Sequence, residues 1–367
     1  MIKTDCLVVG AGFSGATIAE RMAAGLNLKV LVLEKRDHIG GNAFDKLNAN
    51  GVLIHPYGPH IFHTNAGRIW EYLSRFTEWR PYEHKVLAQI DGKLVPLPFN
   101  LNTLHALFPA SQADQLEQLL IDQYGENARV PILKIRESAS ENLKELADYV
   151  YRKVFLGYTT KQWGFRPEEL SPSVTARVPV LISRDDRYFQ DTYQAMPSEG
   201  YTALFRRMLD HPNITVRTEE DFFFSRNRIR ARRIFYTGPI DAYYDYRFGR
   251  LPYRSLHFRH ENLSQAQYQP TGTVNYPNDH DYTRSTEFKY LTGQQHPDTA
   301  IVREYPASEG DPYYPVPRPE NKSLYRRYEQ LAAKENNITF IGRLANYRYY
   351  NMDQVVAAAL SRCGVPA

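Results

Sequence analysis

Near its N-terminus the chain runs from an apolar strand straight into a glycine-rich turn, and that junction limits the possible folds more than any other feature. Cys6-Leu7-Val8-Val9 reads as a buried strand. Gly10-x-Gly12-x-x-Gly15 follows without a spacer, Ala16 to Ala24 carries a helical pattern, and Lys29 to Leu33 is a second apolar strand ending at Glu34. Strand, glycine turn, helix, strand and acid in this order predict a dinucleotide-binding βαβ unit. Gly10 permits the tight turn, Gly12 lets the backbone approach a pyrophosphate, and Gly15 lets helix and strand pack closely. The helix N-terminus offers unpaired N–H groups and a partial positive charge to phosphate. Glu34 is placed to accept hydrogen bonds from ribose hydroxyls.

The residues after the second strand narrow the cofactor. Arg36-Asp37-His38-Ile39-Gly40-Gly41-Asn42 resembles the extension of amine-oxidase-like flavoproteins, where a Gly-Gly pair exposes backbone N–H groups to the phosphates and ribityl chain of FAD. An ordinary Gly-Gly turn is the alternative, and the pair's place beside the nucleotide fingerprint argues against it and favours FAD over NAD.

A chain of 367 residues is long enough for two or three structural units around more than one core. No apolar run reaches membrane-spanning length, so no membrane insertion is expected, and the first strand reads as cofactor-binding rather than as a signal peptide. Only Cys6 and Cys363 occur. A disulfide framework is not expected, nor a cysteine metal site, and a reducing cytoplasm is the expected location. With 45 basic and 41 acidic residues the net charge of +4 is too mild to point to nucleic acid. The basic run Arg226 to Arg233 precedes an apolar strand, Ile234-Phe235-Tyr236, and reads as a solvated loop.

The remaining pattern predicts an α/β protein: a discontinuous Rossmann-like domain from residues 1–80, 200–242 and 316–367; a helical insert over 99–165; and a mostly antiparallel sheet domain from 81–98, 178–199 and 243–315. Asp91-Gly92 is the turn of a hairpin joining Lys85–Ile90 to Lys93–Leu97. Ser111 is the expected cap of a helix closed by Gly125, and Ser138 with Glu141 has capping-box spacing. Leu143, Leu146, Ala147, Val150 and Val154 share one helical face. Helices are also expected near Arg68–Phe76, Tyr201–Leu209 and Asp353–Arg362. Residues 165–178, interrupted by Pro167 and Pro172, have few apolar anchors and read as a mobile loop.

Several segments together resemble one family, the UDP-galactopyranose mutases. They are Gly10-Ala-Gly-Phe-Ser-Gly15, His38-Ile-Gly-Gly-Asn42, Gly58-Pro-His-Ile-Phe-His-Thr64, Gly157-Tyr-Thr-Thr-Lys-Gln-Trp-Gly164, Tyr282-Thr-Arg284, Pro312-Tyr-Tyr-Pro315, and Gly342-Arg-Leu followed by Tyr347-Arg-Tyr-Tyr350. The resemblance spans nearly the whole chain. It implies redox-neutral interconversion of UDP-galactopyranose and UDP-galactofuranose with FAD in its reduced form, whose N5 attacks the anomeric carbon. It also implies a homodimer.

The same resemblance supplies roles. Gly238 and Arg343 join Gly10, Gly12, Gly15, Glu34, Gly40, Gly41 and Asn42 around the cofactor, and His60 lies against the flavin. Arg177 matches a mobile-loop arginine and Arg284 a second clamp on the diphosphate, for which a bidentate, permanently charged group suits, and Arg254 also matches a family arginine at the substrate. Tyr314 and Tyr349 match diphosphate ligands, with Tyr188 a further candidate. Tyr158, Phe189 and Trp163 match residues around the nucleotide, although by residue type each is equally a core aromatic. His84 matches a sugar-contacting position that is Asn in some members. Asn351 departs from the family, many of whose members carry Asp there. His60 and His63 lack a third ligand nearby, so no metal is expected. Two rivals remain open: a mutase for another UDP-sugar, N-acetylgalactosamine or arabinose, and an oxidoreductase of the flavin amine-oxidase kind.

Overall fold

A computed structural model describes residues 1–172, 174 and 178–364. Its organising element is a five-stranded parallel sheet in the order Ile214–Arg217, Val30–Leu33, Ile2–Val9, Ile229–Tyr236, Ile338–Phe340. Parallel sheets are covered on both faces, which explains the unbroken apolar runs in the central strands. Cys6 and Val8 point into one core, with the helices Phe13–Glu20, Tyr201–Leu209 and Met352–Cys363. Leu7 points into the other, with Phe222, Ile240 and Tyr328. Ile2–Val9 pairs with Ile229–Tyr236, more than 200 positions away, so the nucleotide-type sheet is discontinuous in the chain.

A second sheet of seven strands is ordered Tyr314–Pro315, Tyr253–Leu263, Thr299–Ala307, Arg284–Glu287, Thr273–Asn275, Val86–Ile90, Lys93–Leu97. Its pairings are antiparallel except Thr273–Asn275 with Val86–Ile90. The hairpin turns at Asp91 and Gly92, whose φ values of 49° and 78° match the right-handed twist of its strands. The helical insert packs Leu143, Leu146, Ala147, Val150 and Val154 against that hairpin and the helix Ala110–Tyr124.

The structure corrects three local expectations. Ser111 lies inside the helix Ala110–Tyr124, because Pro109 precedes it and needs no N–H donor there; Gly125 does end it. Ser140, not Ser138, stands at the N-terminus of Glu141–Val150, and the Ser138 hydroxyl instead accepts from the Ser140 N–H and donates to Gln123. Residues 165–172 are also not short of anchors. Leu170 is buried in one cluster with Trp163 and Val316, and Phe165 and Val174 pack on it.

Candidate active site

Two concavities adjoin where the sheets meet. The first, a cleft of about 740 Å³, lies at the C-terminal edge of the parallel sheet and is lined by Gly10, Gly12, Gly15, Glu34, Gly40, Gly41, Asn42, His60, Gly238 and Arg343. Every residue expected around the cofactor lines it. Its floor is built from backbone. A Cβ on Gly15 would overlap the Gly10 carbonyl oxygen, so only glycine lets the helix sit so close to the strand. Gly41, at φ 56°, would place a Cβ 3.1 Å from Gly12 Cα, so the two glycine turns stand back to back. The Gly40 N–H donating to Ala11 O at 2.9 Å ties them. Glu34 accepts from the Ala11 N–H (2.9 Å) and the Arg36 N–H (3.0 Å), fixing both turns with one carboxylate. Donor-rich backbone with no side chains in the way is what a dinucleotide pyrophosphate requires.

The second is a cavity of about 390 Å³ made from side chains. Tyr158, Trp163, Tyr188, Phe189, Arg284, Tyr314, Tyr349 and Asn351 line it, with Phe155, Gln162, Asn275 and His63. Arg284 begins a strand of the large sheet and donates through Nε and Nη2 to both oxygens of Glu304, at 2.7 and 2.9 Å. Glu304 is 1% exposed. Burial opposes the charge of Arg284, but Glu304, Tyr158 and Tyr314 around it hold its pKa well above the ordinary value. The carboxylate thus fixes a bidentate guanidinium whose remaining N–H groups are available to an anion. The rings of Tyr314 and Tyr349 meet edge to face at 5.0 Å, and Trp163 packs on both. Burial pushes the Tyr314 hydroxyl up to about 12, so it is neutral near pH 7.

Arg343 and His60 join the two spaces. Arg343 lines the cleft, and its guanidinium carbon sits 5.5 and 5.6 Å from the ring centres of Tyr314 and Tyr349. His60 lines the cleft too, and Arg343 and Arg284 both act on its ring. Burial drives its pKa to about 3, with His55 adding to the effect, so the imidazole is neutral. Its backbone N–H donates to His55 Nδ1 at 3.1 Å and is therefore committed within the protein.

Not every expected ligand reaches the cavity. Arg254 does not line it. Its Nε donates to Gln162 O (2.9 Å) and Nη2 to Lys161 O (3.2 Å), so it caps the C-terminus of the helix Gly157–Trp163. Its physical role is satisfying orphan carbonyls. His84, 4% exposed, stands behind Tyr188 and Phe189, with Nδ1 3.0 Å from the Tyr82 hydroxyl. Arg177 lies outside the described residues. Glu304, Asn275 and the pair His63–Asp191 (2.9 Å), whose His63 ring stacks on Phe189 at 3.7 Å, complete the site without having been singled out as ligands. Glu304 had one readable signal: an acid within the apolar strand Ala300-Ile-Val-Arg-Glu-Tyr305 calls for a buried cation.

Comparison with known proteins decides the family. Residues 153–349 match the model of the UDP-galactopyranose mutase family, and residues 8–76 match that of NAD(P)-binding Rossmann-like domains. A probable UDP-galactopyranose mutase of Klebsiella pneumoniae is 38% identical, the alignment covering 98% of this chain and 94% of the relative. The chain belongs to the UDP-galactopyranose mutase family. A dTDP-fucopyranose mutase of Escherichia coli is also 38% identical to this chain, over 96% of each. A crystal structure of reduced UDP-galactopyranose mutase superposes with a TM-score of 0.75 at 16% identity, covering 98% of this chain and 96% of the other; that agreement concerns the fold. Among the described residues, no helix is long and apolar enough to cross a membrane.

Proposed function

We propose that the protein interconverts UDP-galactopyranose and UDP-galactofuranose, with reduced FAD in the cleft and the nucleotide sugar in the adjoining cavity. The observation that carries this is the junction. A backbone cradle suited to a dinucleotide and a half-buried, carboxylate-fixed arginine suited to a diphosphate meet at Arg343, with His60 beside it on the cleft side. The cradle suits FAD, because Gly10, Gly15 and Gly342 let backbone and neighbours approach closer than a Cβ would allow, and Gly41 holds a left-handed conformation against Gly12. Reduced flavin supplies a nucleophilic N5 to the anomeric carbon.

The chain's own residues do the rest. Arg284 takes up charge developing on the departing diphosphate, and Glu304 keeps it oriented. Tyr314 and Tyr349 are placed to donate to the same oxygens. His60, neutral and half-buried beside the junction, keeps a positive charge out of the space proposed for the sugar. Tyr158 and Phe155 offer faces to a pyrimidine. The uncharged Asn351 at the start of the last helix adds no negative charge beside the diphosphate. Arg177 is proposed as a second diphosphate cation, and residues 165–178 as a lid that excludes water. A FAD-binding domain from residues 1–80, 200–242 and 316–367, a helical insert over 99–165, a sheet domain from 81–98, 178–199 and 243–315, a homodimer and a cytoplasmic location complete this reading.

A second reading concerns the substrate. The dTDP-fucopyranose mutase is as similar to this chain as the K. pneumoniae relative, so a 6-deoxyhexose on dTDP is the specific rival. Reduced protein offered UDP-galactose and dTDP-fucose separately, with products resolved by chromatography, distinguishes them. The proposal expects higher kcat/KM on UDP-galactose. Preference for dTDP-fucose would keep the chemistry and change the substrate, and conversion of neither would remove the proposal.

A further inference from the structure

Three successive turns of the helical segment bordering the cavity grip one loop, and the ends of that loop carry two of the cavity's polar residues. The loop 276–283 connects the strands Thr273–Asn275 and Arg284–Glu287 and is closed by the Tyr276 N–H donating to Thr283 O at 2.9 Å. Asn275 precedes it and Arg284 follows it, and both line the cavity. On the helical side, Lys153 O accepts from Asn278 Nδ2 at 2.9 Å. Four residues on, Gly157 lies so close that a Cβ would overlap Pro277 O and come within 2.6 Å of Asn278 Oδ1. Four residues further, the Lys161 ammonium donates to three loop carbonyls: Tyr276, His280 at 2.8 Å and Tyr282 at 3.2 Å. An ammonium has three N–H donors, and all three are directed at this loop.

Residues four apart share a helical face. Positions 153, 157 and 161 therefore form one seam, while Tyr158, Gln162 and Trp163 turn toward the cavity. A cation satisfied by three carbonyls at different points of a loop fixes that loop more tightly than one hydrogen bond does. A glycine at the middle position leaves no side chain to hold the two backbones apart.

We infer that Lys161 is a positioning residue for Arg284, and that the seam Lys153–Gly157–Lys161 sets the distance between the aromatic wall of the cavity and its arginine clamp. Lys161 itself touches no ligand. It acts by holding the backbone from which Arg284 departs. This rests on the reading of the second cavity as a nucleotide-sugar site.

The test measures UDP affinity by calorimetry on the FAD-loaded protein. Lys161→Met removes the ammonium and keeps the stem. Gly157→Ala pushes the loop away without altering charge. Each is expected to weaken UDP binding at least about tenfold, the scale of a displaced charge-assisted contact, with unchanged flavin content and absorption spectrum. KM for the nucleotide sugar should rise in parallel, whereas a mere loss of folded protein would lower kcat and leave Kd and KM alone. In an Arg284→Ala background, Lys161→Met should cost less than about twofold, because residues acting through one another are not additive. Unchanged Kd in both single variants overturns the inference, as does the same loss with and without Arg284. Failure of the unaltered protein to bind UDP would instead strike the reading of the cavity.

Discussion

The glycine-lined cleft and the aromatic-lined cavity lie side by side but are made in different ways. The cleft is a backbone construction in which glycines at positive φ and close helix–strand contacts leave N–H groups exposed, and one carboxylate, Glu34, ties two turns. The cavity is a side-chain construction. Its residues come from the helical insert, from strands of the large sheet and from the segment before the last helix, and its central charge depends on a partner, Glu304, twenty residues away. A backbone site is encoded locally, and one added methyl group breaks it. A side-chain site is encoded by distant pairs, and it breaks when either partner is lost.

That contrast predicts the largest effect at Arg284. Arg284→Ala removes the clamp and strands Glu304 as an unpaired buried carboxylate, a loss on the order of 3–5 kcal/mol. Turnover should fall more than a hundredfold and Tm should drop, while FAD stays bound. Wild-type kcat/KM in this variant would mean that the cavity does not hold the diphosphate. Gly41→Val should do the reverse: FAD content of the purified protein falls several-fold because the side chain meets Gly12 in a left-handed conformation, costing roughly 1–3 kcal/mol, and UDP affinity measured on the folded protein changes little. Equal loss of both ligands would show that the two sites do not separate in this way.

Smaller effects sharpen the picture. Arg254→Ala removes a helix cap, worth about 1 kcal/mol, and should lower Tm by a few degrees with only a modest rise in KM. A hundredfold loss would restore Arg254 as a direct ligand. The buried histidines give a pH signature. Burial lowers His55 and His84 from 6.5 to about 3, so the unfolded chain binds protons that the folded protein excludes. Their contribution is complete above pH 6.5 and is lost as pH falls from 6.5 toward 3. Thermal melts should show stability declining through that window, less steeply in His84→Gln; identical slopes would show that His84 does not titrate in this way.

The same contrast explains what could be read from the sequence. Gly10, Gly12, Gly15, Gly40 and Gly41 announced the cleft because the constraint on each is local, and the hairpin at Asp91-Gly92 and the helix Tyr201–Leu209 were legible for that reason too. Tyr314, Tyr349 and Arg284 were placed by likeness to a family, since nothing in their own neighbourhoods points to a diphosphate. Arg254 matches a family arginine yet faces the carbonyls of a helix about 90 residues earlier, a partner that no sequence pattern displays. Glu304 and Lys161 went unassigned because each acts through a tertiary partner. The helix starts at Ala110 and Glu141 shifted by one or two residues because Pro109 opens the first and Ser138 and Ser140 compete to open the second.

The central claim is that the cleft and the cavity work together only when the cleft holds reduced flavin. The most direct measurement follows conversion of UDP-galactofuranose by one preparation in two states, reduced with dithionite under anaerobic conditions and fully oxidised in the dark without reductant. The account predicts UDP-galactopyranose from the reduced sample and essentially none from the oxidised one. Equal turnover in both states, or none in the reduced sample with FAD and UDP shown to bind, would contradict it.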